Sequence, residues 1–356
     1  MLDAILRSIA PADGDWFARA QERHQTLTKP PGSLGRLETI AARLCAIQST
    51  LRPDVSRRRV VVFAADHGVV AEGVSPYPSE VTAQMVANFL AGGAAINALA
   101  RSSGSELSVV DVGVGHDVPW IERPAADGVQ FLSRRIRNGT ANMVEGPAMT
   151  ADEMQEAIGI GIEEAERAAR AGIAVLGLGE MGIGNTTSAS AVTAALTGCE
   201  PSRVTGRGTG IDGDALARKI ATVEKALNVN RPRRDDPLDI LRKVGGLEIA
   251  GLCGLCLGGA ANRLAVVTDG FIATAAAALA VGLSPNVADY LFAAHLSPEP
   301  GHRVLLDGLR LEPMLDLEMR LGEGTGAALA MNVMAASAAA FNDMATFESA
   351  GIAGKE

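Results

Sequence analysis

The sequence predicts an α/β fold, with a doubly wound, Rossmann-like parallel sheet and a small helical domain built from the two ends of the chain. Short runs rich in valine and isoleucine alternate with segments of helical periodicity along most of the 356 residues. These runs are apolar throughout, as expected for strands that helices cover on both faces. Polar residues and glycines follow them directly, at the edge where doubly wound sheets bind ligands.

Five strands and four intervening helices follow from these patterns. The predicted strands cover residues 60–65, 107–114, 173–178, 264–268 and 290–294. The helical patterns are clearest over residues 80–101, 151–171, 212–227 and 271–281.

The two ends of the chain lack strand patterns. Residues 1–25 are polar with a helical pattern, and residues 327–341 form an alanine- and methionine-rich helix that continues toward a polar tail. We therefore predict a large α/β domain over residues 26–325. Residues 1–25 and 326–356 are predicted to pack together as the small helical domain.

Composition narrows the classes of function. The net charge of −9 argues against a nucleic-acid partner, which would require a basic face. The apolar runs are short or interrupted, so no membrane span is expected, and residues 1–10 lack the apolar core of a signal peptide. We expect a soluble, cytoplasmic protein.

The cysteine pattern argues against a disulfide framework, and it predicts buried thiols at Cys253 and Cys256 rather than a metal site. There are 4 cysteines in the chain, at positions 45, 199, 253 and 256. Cys253 and Cys256 have CxxC spacing, but their surroundings are apolar and lack the further ligands that zinc requires. Free cysteine is commonly a core residue.

The most informative segment is LGLGEMGIGNTTSASAV, at residues 176–192. A buried strand ends among glycines around one carboxylate, Glu180, and the chain then enters a helix through Asn185 and Thr186. Free N–H groups at such a helix start bind phosphate or another anion. The same arrangement returns in RLGEGTGAALA, at residues 320–330, with Glu323 among the glycines. Two glutamates placed in this way predict a functional site.

Several further patterns allow more than one interpretation. Residues 29–38 form a glycine-punctuated loop that is either a structured connection or an arm over a ligand. Asp66 and His67 end a predicted strand as a catalytic dyad, a metal pair or, favoured here, a hydrogen-bonded cap. Residues 73–78 form a proline-containing loop before a helix that carries Gln84, Met85 and Asn88.

Two more polar segments follow later strands. The glycine turn at residues 207–212 opens a helix in which Lys219 is either solvated or a point charge for a phosphate. After residue 294, Ser297 is expected to cap a helix with Pro298 at its first position and Glu299 in its first turn. His295 and His302 lie there as potential metal ligands, although capping explains most of the pattern.

The general nucleotide motifs are weak or missing. Residues 177–182 match the bare G-x-G-x-x-G pattern, although Glu180 places a charge beside the expected pyrophosphate. The GxxxxGK[ST] pattern does not occur, which disfavours a Walker-type nucleotidase.

Taken together, the motifs resemble the nicotinate-nucleotide–dimethylbenzimidazole phosphoribosyltransferase family over roughly residues 29–330. They occur in the family's order as KPPGSLGRLE, FAADHGVV, GVSPYPSEVTAQMV, GLGEMGIGNTTSAS, GRGTGID, DGFIATAAAL, AHLSPEPGH and LRLGEGTGAA. The resemblance implies a homodimer that makes α-ribazole 5′-phosphate and nicotinate from nicotinate mononucleotide and 5,6-dimethylbenzimidazole, for the nucleotide loop of cobalamin. It implies neither a cofactor nor a metal.

The resemblance also implies roles for individual residues. Glu323 matches the family's catalytic base and Glu180 its second active-site glutamate. Gln84 matches the glutamine that recognises the aromatic base, and we place Met85, Pro76 and Tyr77 with it. The phosphate and ribose are assigned to Gly182, Gly184, Asn185, Thr186, Lys219, Arg320 and Gly322. In several relatives different residues are expected at Pro76 and Ser79, which leaves the preferred base open.

Two other classes of function remain as alternatives. A nicotinamide-dependent dehydrogenase would fit the parallel sheet and the glycines at 177–182, and predicts an acidic residue at the end of the next strand. It leaves Glu323 without a role. A nucleotide- or corrinoid-binding carrier would bind its ligand tightly without releasing nicotinate.

Overall fold

The computed structural model describes residues 1–119, 125–208, 210 and 212–353. Its centre is a parallel sheet of six strands in the order β3-β2-β1-β4-β5-β6. The strands are β1 (Arg58–Ala65), β2 (Ser105–Gly113), β3 (Val129–Ser133), β4 (Val175–Met181), β5 (Ala265–Thr268) and β6 (Leu291–Ala293). The winding direction reverses between β1 and β4, so their carboxyl ends flank the crevice where such folds bind ligands.

Helices cover the sheet and form both ends of the chain. They are α1 (Leu2–Ser8), α2 (Gly14–Thr26), α3 (Arg36–Gln48), α4 (Glu80–Leu90), α5 (Ala95–Ser103), α6 (Ala151–Arg170), α7 (Asn185–Thr197), α8 (Pro201–Val204), α9 (Gly213–Asn230), α10 (Pro237–Val244), α11 (Leu247–Ala261), α12 (Phe271–Leu283), α13 (Pro300–Leu309), α14 (Thr325–Asp343) and α15 (Phe347–Ala350).

Small residues let the helices approach one another closely. On α6, a Cβ added at Gly161 would lie 1.9 Å from the carbonyl oxygen of Gly251 on α11. A Cβ at Gly254 would lie 2.0 Å from the carbonyl oxygen of Ile158. The two helices therefore pack backbone against backbone, which explains a core rich in glycine and alanine with few aromatic side chains.

The structure confirms the predicted fold class and the five predicted strands, with small shifts at their ends. It adds β3, a strand at the edge of the sheet that pairs with β2. All five residues of β3 are partly or fully exposed, so its sequence lacks the apolar run that identified the others.

The helix predicted over residues 80–101 is wrong in one respect, because the structure divides it into α4 and α5. The break falls at Gly92 and Gly93, and the φ angle of Gly92 is +78°. Among the described residues, 80–103 form the one helical stretch whose length and mean hydropathy of 1.2 would suffice to cross a membrane. The break and the packing of α4 on four strands identify it as a core segment of an α/β domain.

The two ends of the chain contact each other. The Arg23 guanidinium donates to the carbonyl of Phe341 at 3.2 Å, and Leu27 forms an antiparallel bridge with Thr346. Helix α3 packs against both α2 and α14, while α14 also contacts β4 and β5. The division at residues 25 and 326 stays a prediction, and residues 354–356 of the proposed small domain lie outside the described part.

Candidate active site

A cavity of about 110 Å³ opens at the carboxyl ends of β4, β5 and β6. The turn from β4 into α7, the loop after β6 and the turn before α14 form its walls. Lining residues are Glu180, Met181, Gly182, Ile183, Asn185, Thr186, Gly208, Gly270, Phe271, Ile272, His295, Ser297, Glu299, Arg320, Leu321 and Gly322.

Glu180 is the second-to-last residue of strand β4, and its side chain enters this cavity. It is 6% exposed, and the side-chain amide of Asn185 donates to its Oε2. Gly322 lies opposite Oε1 with a φ angle of +85°, a backbone conformation that favours glycine. Burial, with a further contribution from the Asp269 carboxylate, raises the pKa of Glu180 to about 8. The side chain is therefore mainly protonated at neutral pH in the ligand-free protein.

Glu323 lies in a left-handed turn directly before α14. Its φ angle is +62°, between Gly322 at +85° and Gly324 at +84°. The side chain is buried, and its Oε2 accepts the N–H of Ile96 at the start of α5, at 3.3 Å. Burial and the nearby Asp269 raise the pKa of Glu323, while the Ile96 hydrogen bond opposes that shift. The carboxylate thus has a main-chain donor that stabilises its ionised form.

Asp269 holds the Glu323 turn in place. It follows β5 directly, and its carboxylate accepts the N–H groups of Gly324, Gly326 and Ala327 at 3.1, 2.6 and 3.1 Å. Burial raises its pKa, and His295 and these hydrogen bonds oppose the shift. The sequence placed Asp269 at a strand end, but its link to Glu323 depends on a contact more than 50 residues away along the chain.

Lys219 reaches the other side of the cavity from α9. The side chain is 1% exposed, and Nζ donates to Thr186 Oγ1 at 2.8 Å and to the Gly206 carbonyl at 3.2 Å. Burial lowers the pKa of Lys219 to about 8, and Glu299 opposes that shift. Lys219 is therefore not a solvated helix residue, and it places a cationic group beside the start of α7. Thr209 and Ile211 of the adjacent glycine turn lie outside the described residues.

The structure brings eight of the predicted site residues together and places five elsewhere. Six line the cavity: Glu180, Gly182, Asn185, Thr186, Arg320 and Gly322. Lys219 contacts the lining residue Thr186, and Glu323 directly follows Gly322. Gly184 caps α7 behind it, with a φ angle of +94°. Gln84 and Met85 lie on α4, while Pro76 and Tyr77 are exposed in the preceding loop, outside the cavity as the described residues define it.

His67 and Asp66 each contact a distant segment at the end of β1. The Nε2 of His67 lies 2.6 Å from Oε1 of Glu248, and both side chains are buried. Despite its burial, the pKa of His67 is raised by this carboxylate. Asp66 accepts the N–H of Gly115 at 2.7 Å. Sequence analysis missed Glu248, although it is the one carboxylate of the otherwise apolar helix α11.

The helix after β6 starts later than predicted. It begins at Pro300 with Glu299 at its N-cap, so the placement of Ser297 as the cap and Pro298 as the first residue is wrong. His302 Nδ1 accepts the Ser297 N–H at 3.0 Å, so this N–H is bonded to a side chain of the helix, and the backbone of Glu299 is still extended. Burial lowers the pKa of His302 to about 3, so its ring is neutral.

Other predicted features have structural positions. Lys29 pairs with Glu38 at 2.8 Å and closes the loop at residues 29–38 onto the start of α3. Cys253 and Cys256 are fully buried on α11, and burial raises the pKa of both thiols. These cysteines are core residues.

Comparison with known proteins places these features in a family. A family model described as "Phosphoribosyltransferase" matches residues 9–352. The chain is 52% identical over 353 residues to the nicotinate-nucleotide–dimethylbenzimidazole phosphoribosyltransferase of Geobacter sulfurreducens, covering 99% of this chain and 98% of that protein. It is 51% identical over 352 residues to the same-named enzyme of Chlorobaculum tepidum, covering 99% and 98%. The crystal structure of CobT from Thermus thermophilus superposes with a TM-score of 0.89 at 49% identity, covering 95% and 99%.

Proposed function

The chain belongs to the nicotinate-nucleotide–dimethylbenzimidazole phosphoribosyltransferase family, and we propose how its residues carry out that reaction. As a pentosyltransferase, it moves the 5-phosphoribosyl group of nicotinate mononucleotide to 5,6-dimethylbenzimidazole. The products are nicotinate and α-ribazole 5′-phosphate, for the nucleotide loop of cobalamin. The observation that carries the assignment of roles is that Glu180 lines the cavity and Glu323 directly follows the lining residue Gly322, each beside a helix start.

The leaving group needs no general acid. Nicotinate departs from an N-glycosylated pyridinium, so breaking the bond to the anomeric carbon neutralises a cation. The incoming benzimidazole has the opposite requirement, because attack by one ring nitrogen makes the ring cationic until the proton on the other nitrogen is lost. A positioned carboxylate that accepts this proton completes the transfer. Attack opposite to nicotinate converts the β-linked donor into the α-linked product.

Glu323 is the proposed base. The Ile96 N–H favours its ionised form, and the burial that raises its pKa also makes it a stronger proton acceptor. The left-handed turn and the three N–H bonds to Asp269 fix the main chain around it. A base held in this way avoids the entropy cost of orientation during the reaction.

Glu180 is proposed to stabilise the positive charge that develops on the ribose. In the ligand-free protein its pKa is about 8, because burial and neighbouring carboxylates disfavour ionisation. Nicotinate mononucleotide carries a pyridinium cation, and a cation placed nearby favours the ionised carboxylate. Binding of the donor substrate would therefore help to generate the anion that acts in the next step.

The remaining assigned residues divide between the two substrates. The phosphate and ribose are proposed to lie at the α7 start, against Gly182, Gly184, Asn185, Thr186, Gly322, Lys219 and Arg320. The start of α7 supplies N–H groups, while Lys219 supplies charge beside Thr186. The aromatic base is proposed to lie against α4 and its preceding loop, at Gln84, Met85, Pro76 and Tyr77.

The geometry disfavours a nicotinamide-dependent dehydrogenase. Such an enzyme requires an acidic residue at the end of the strand after the glycine turn, to bind ribose hydroxyls. Asp269 occupies that position, but its carboxylate is engaged by the three main-chain N–H groups of the Glu323 turn. A carrier on the same scaffold would bind ligands without breaking the glycosidic bond.

We further propose that the protein acts in the cytoplasm as a homodimer, without a nucleic-acid or membrane partner. The acidic net charge of −9 supports the absence of a nucleic-acid partner. Residues 1–25 and 326–356 are proposed to form the small helical domain beside the 26–325 catalytic domain.

The direct test is chromatographic measurement of nicotinate released from nicotinate mononucleotide, with and without dimethylbenzimidazole. We expect release that depends on the base and matches the ribotide formed mole for mole. Tight binding without release would favour a carrier. Retention of NAD(H), or a fluorescence change on its addition, would favour a dehydrogenase.

A further inference from the structure

Thr82 links the helix of the proposed base site to the turn that follows Glu180. It lies in the first turn of α4, two residues before Gln84, and its side chain is fully buried. Its hydroxyl oxygen accepts the main-chain N–H of Ile183 at 3.1 Å. Ile183 lines the cavity between Gly182 and Gly184. One hydrogen bond thus joins two elements assigned to different substrates.

The same hydroxyl lies beside Asp66 at the end of β1. Because the Thr82 oxygen accepts from Ile183, its single proton is free to serve another acceptor. The neighbouring Thr82 hydroxyl lowers the pKa of Asp66 against the effect of burial, as a donor to the carboxylate would. Asp66 in turn accepts the Gly115 N–H after β2. Thr82 therefore stands where α4, the β1 end and the β4–α7 turn meet.

The β4–α7 turn has little freedom to move at its other contacts. A Cβ at Gly182 would lie 2.3 Å from the carbonyl oxygen of Ala65, and one at Gly184 would lie 2.8 Å from Val70 Cγ2. The turn is thus set closely against the end of β1 and the segment that follows. The hydrogen bond from Ile183 in this turn to Thr82 therefore fixes the position of α4 relative to the sheet.

We propose that Thr82 is a positioning residue that fixes α4, and with it Gln84, relative to the Glu180 turn, so that the aromatic base meets the ribose in one orientation. The inference rests on the proposed transfer reaction and deepens it by naming a determinant of base orientation. Thr82 itself acts through α4 and through Ile183.

The test uses Thr82→Val, which removes the hydroxyl, and Thr82→Ser, which keeps it and removes the methyl group. Thr193→Val serves as the matched control, because Thr193 is also a fully buried helical threonine and its hydroxyl bonds within its own helix, to Ala189. The measurements are KM for each substrate, kcat, the melting temperature, and the ratio of the two regioisomeric ribotides formed from an unsymmetrical benzimidazole.

Thr82→Val is expected to raise KM for the base by roughly tenfold and to move the isomer ratio toward one, as loss of a buried hydrogen bond allows α4 to shift. KM for nicotinate mononucleotide should stay within about twofold, because Lys219 still holds the phosphate side of the turn. Thr82→Ser should restore the wild-type ratio, and Thr193→Val should keep it.

Three results would overturn the inference. A folded Thr82→Val enzyme with the wild-type isomer ratio and base KM would remove Thr82 from base positioning. Equal defects in Thr82→Ser and Thr82→Val would assign the effect to methyl packing. A lower melting temperature with unchanged kinetics per folded enzyme would make the role purely structural. If the wild-type enzyme releases no nicotinate, the proposed function fails, independently of these variants.

Discussion

The turns around Glu180 and Glu323 share a sequence pattern but differ in structure and electrostatics. Each places one glutamate among glycines before a helix. Glu180 ends an extended strand and receives a side-chain amide from Asn185. Glu323 adopts a left-handed conformation and receives a main-chain N–H from the start of another helix.

The difference lies mainly in the neighbouring charges. Carboxylates of Asp269, Glu248 and Glu323 all raise the pKa of Glu180, in addition to burial. After burial, Asp269 is the carboxylate that raises the pKa of Glu323. A shared motif therefore predicts that a glutamate faces the ligand, while its neighbours determine its protonation state. On this basis we propose that Glu323 transfers the proton and that Glu180 responds to the cationic substrate.

The largest expected effect is the loss of activity when the proposed catalytic base, Glu323, is replaced. Glu323→Gln keeps the shape of the side chain but cannot accept the proton, so kcat should fall by ~10²- to 10⁴-fold with weaker dependence on pH. Glu318→Gln, an exposed acid in the preceding loop, should leave kcat unchanged. Steady-state kinetics checks both variants. A Glu323→Gln enzyme that keeps more than about a third of wild-type kcat contradicts the assignment.

Loss of the proposed phosphate contacts should give the next largest effect, in KM for nicotinate mononucleotide. Lys219→Ala and Arg320→Ala each remove a charged hydrogen bond worth ~1.5–3 kcal/mol, which corresponds to roughly 10- to 100-fold. Lys219 should have the larger effect, because it is buried and also holds Thr186, whereas Arg320 is exposed.

Two controls accompany these variants. Lys225→Ala changes an exposed lysine on the same helix and should leave KM unchanged. The riboside, which lacks the phosphate, should be used almost equally by wild type and variants. Equal increases in KM for both substrates would place Lys219 and Arg320 outside the phosphate site.

The pH dependence tests the Glu180 side of the comparison. With a pKa of about 8, its ionised fraction rises roughly tenfold per pH unit below that value. If the free enzyme needs the carboxylate, kcat/KM for nicotinate mononucleotide should rise toward about pH 8, and it should fall at higher pH as Lys219, whose pKa is also about 8, loses its charge. Glu180→Gln should be less active at pH 8 and lack this rise. A wild-type profile that is already flat from pH 5 to 8 would contradict the requirement for an ionised Glu180 with this pKa.

The sequence predicted those parts of the fold that leave a local pattern. Strands β1, β2, β4, β5 and β6 are apolar runs because helices cover both faces, whereas the half-exposed edge strand β3 has no such run. The break between α4 and α5 was missed because the apolar periodicity continues across Gly92 and Gly93.

In the site, the glycine turns with Glu180 and Glu323 were recognisable as local sequence motifs. The distant carboxylates that shift the pKa values of these two glutamates were not. Glu248 and Glu180 are separated by 68 positions, and Asp269 and Glu323 by 54, so their meeting depends on the order of strands in the sheet. Glu299 was interpreted as a residue of a helix start, yet its carboxylate accepts the N–H of Gly208 beside Lys219. Such long-range partners are set by topology rather than by spacing.

The smallest expected effect concerns the orientation of the aromatic substrate, the benzimidazole from which Glu323 is proposed to take a proton. An apolar pocket fixes the plane of a benzimidazole but not its rotation, and a hydrogen bond from Gln84 to one ring nitrogen would leave the other nitrogen facing Glu323. Gln84→Leu should therefore weaken base binding by only ~0.5–1.5 kcal/mol, yet change the ratio of regioisomeric ribotides from an unsymmetrical base. Glu80→Gln, at the exposed start of the same helix, should keep the wild-type ratio. An unchanged ratio in Gln84→Leu would mean that pocket shape alone orients the base, and that Glu323 receives its proton without help from α4.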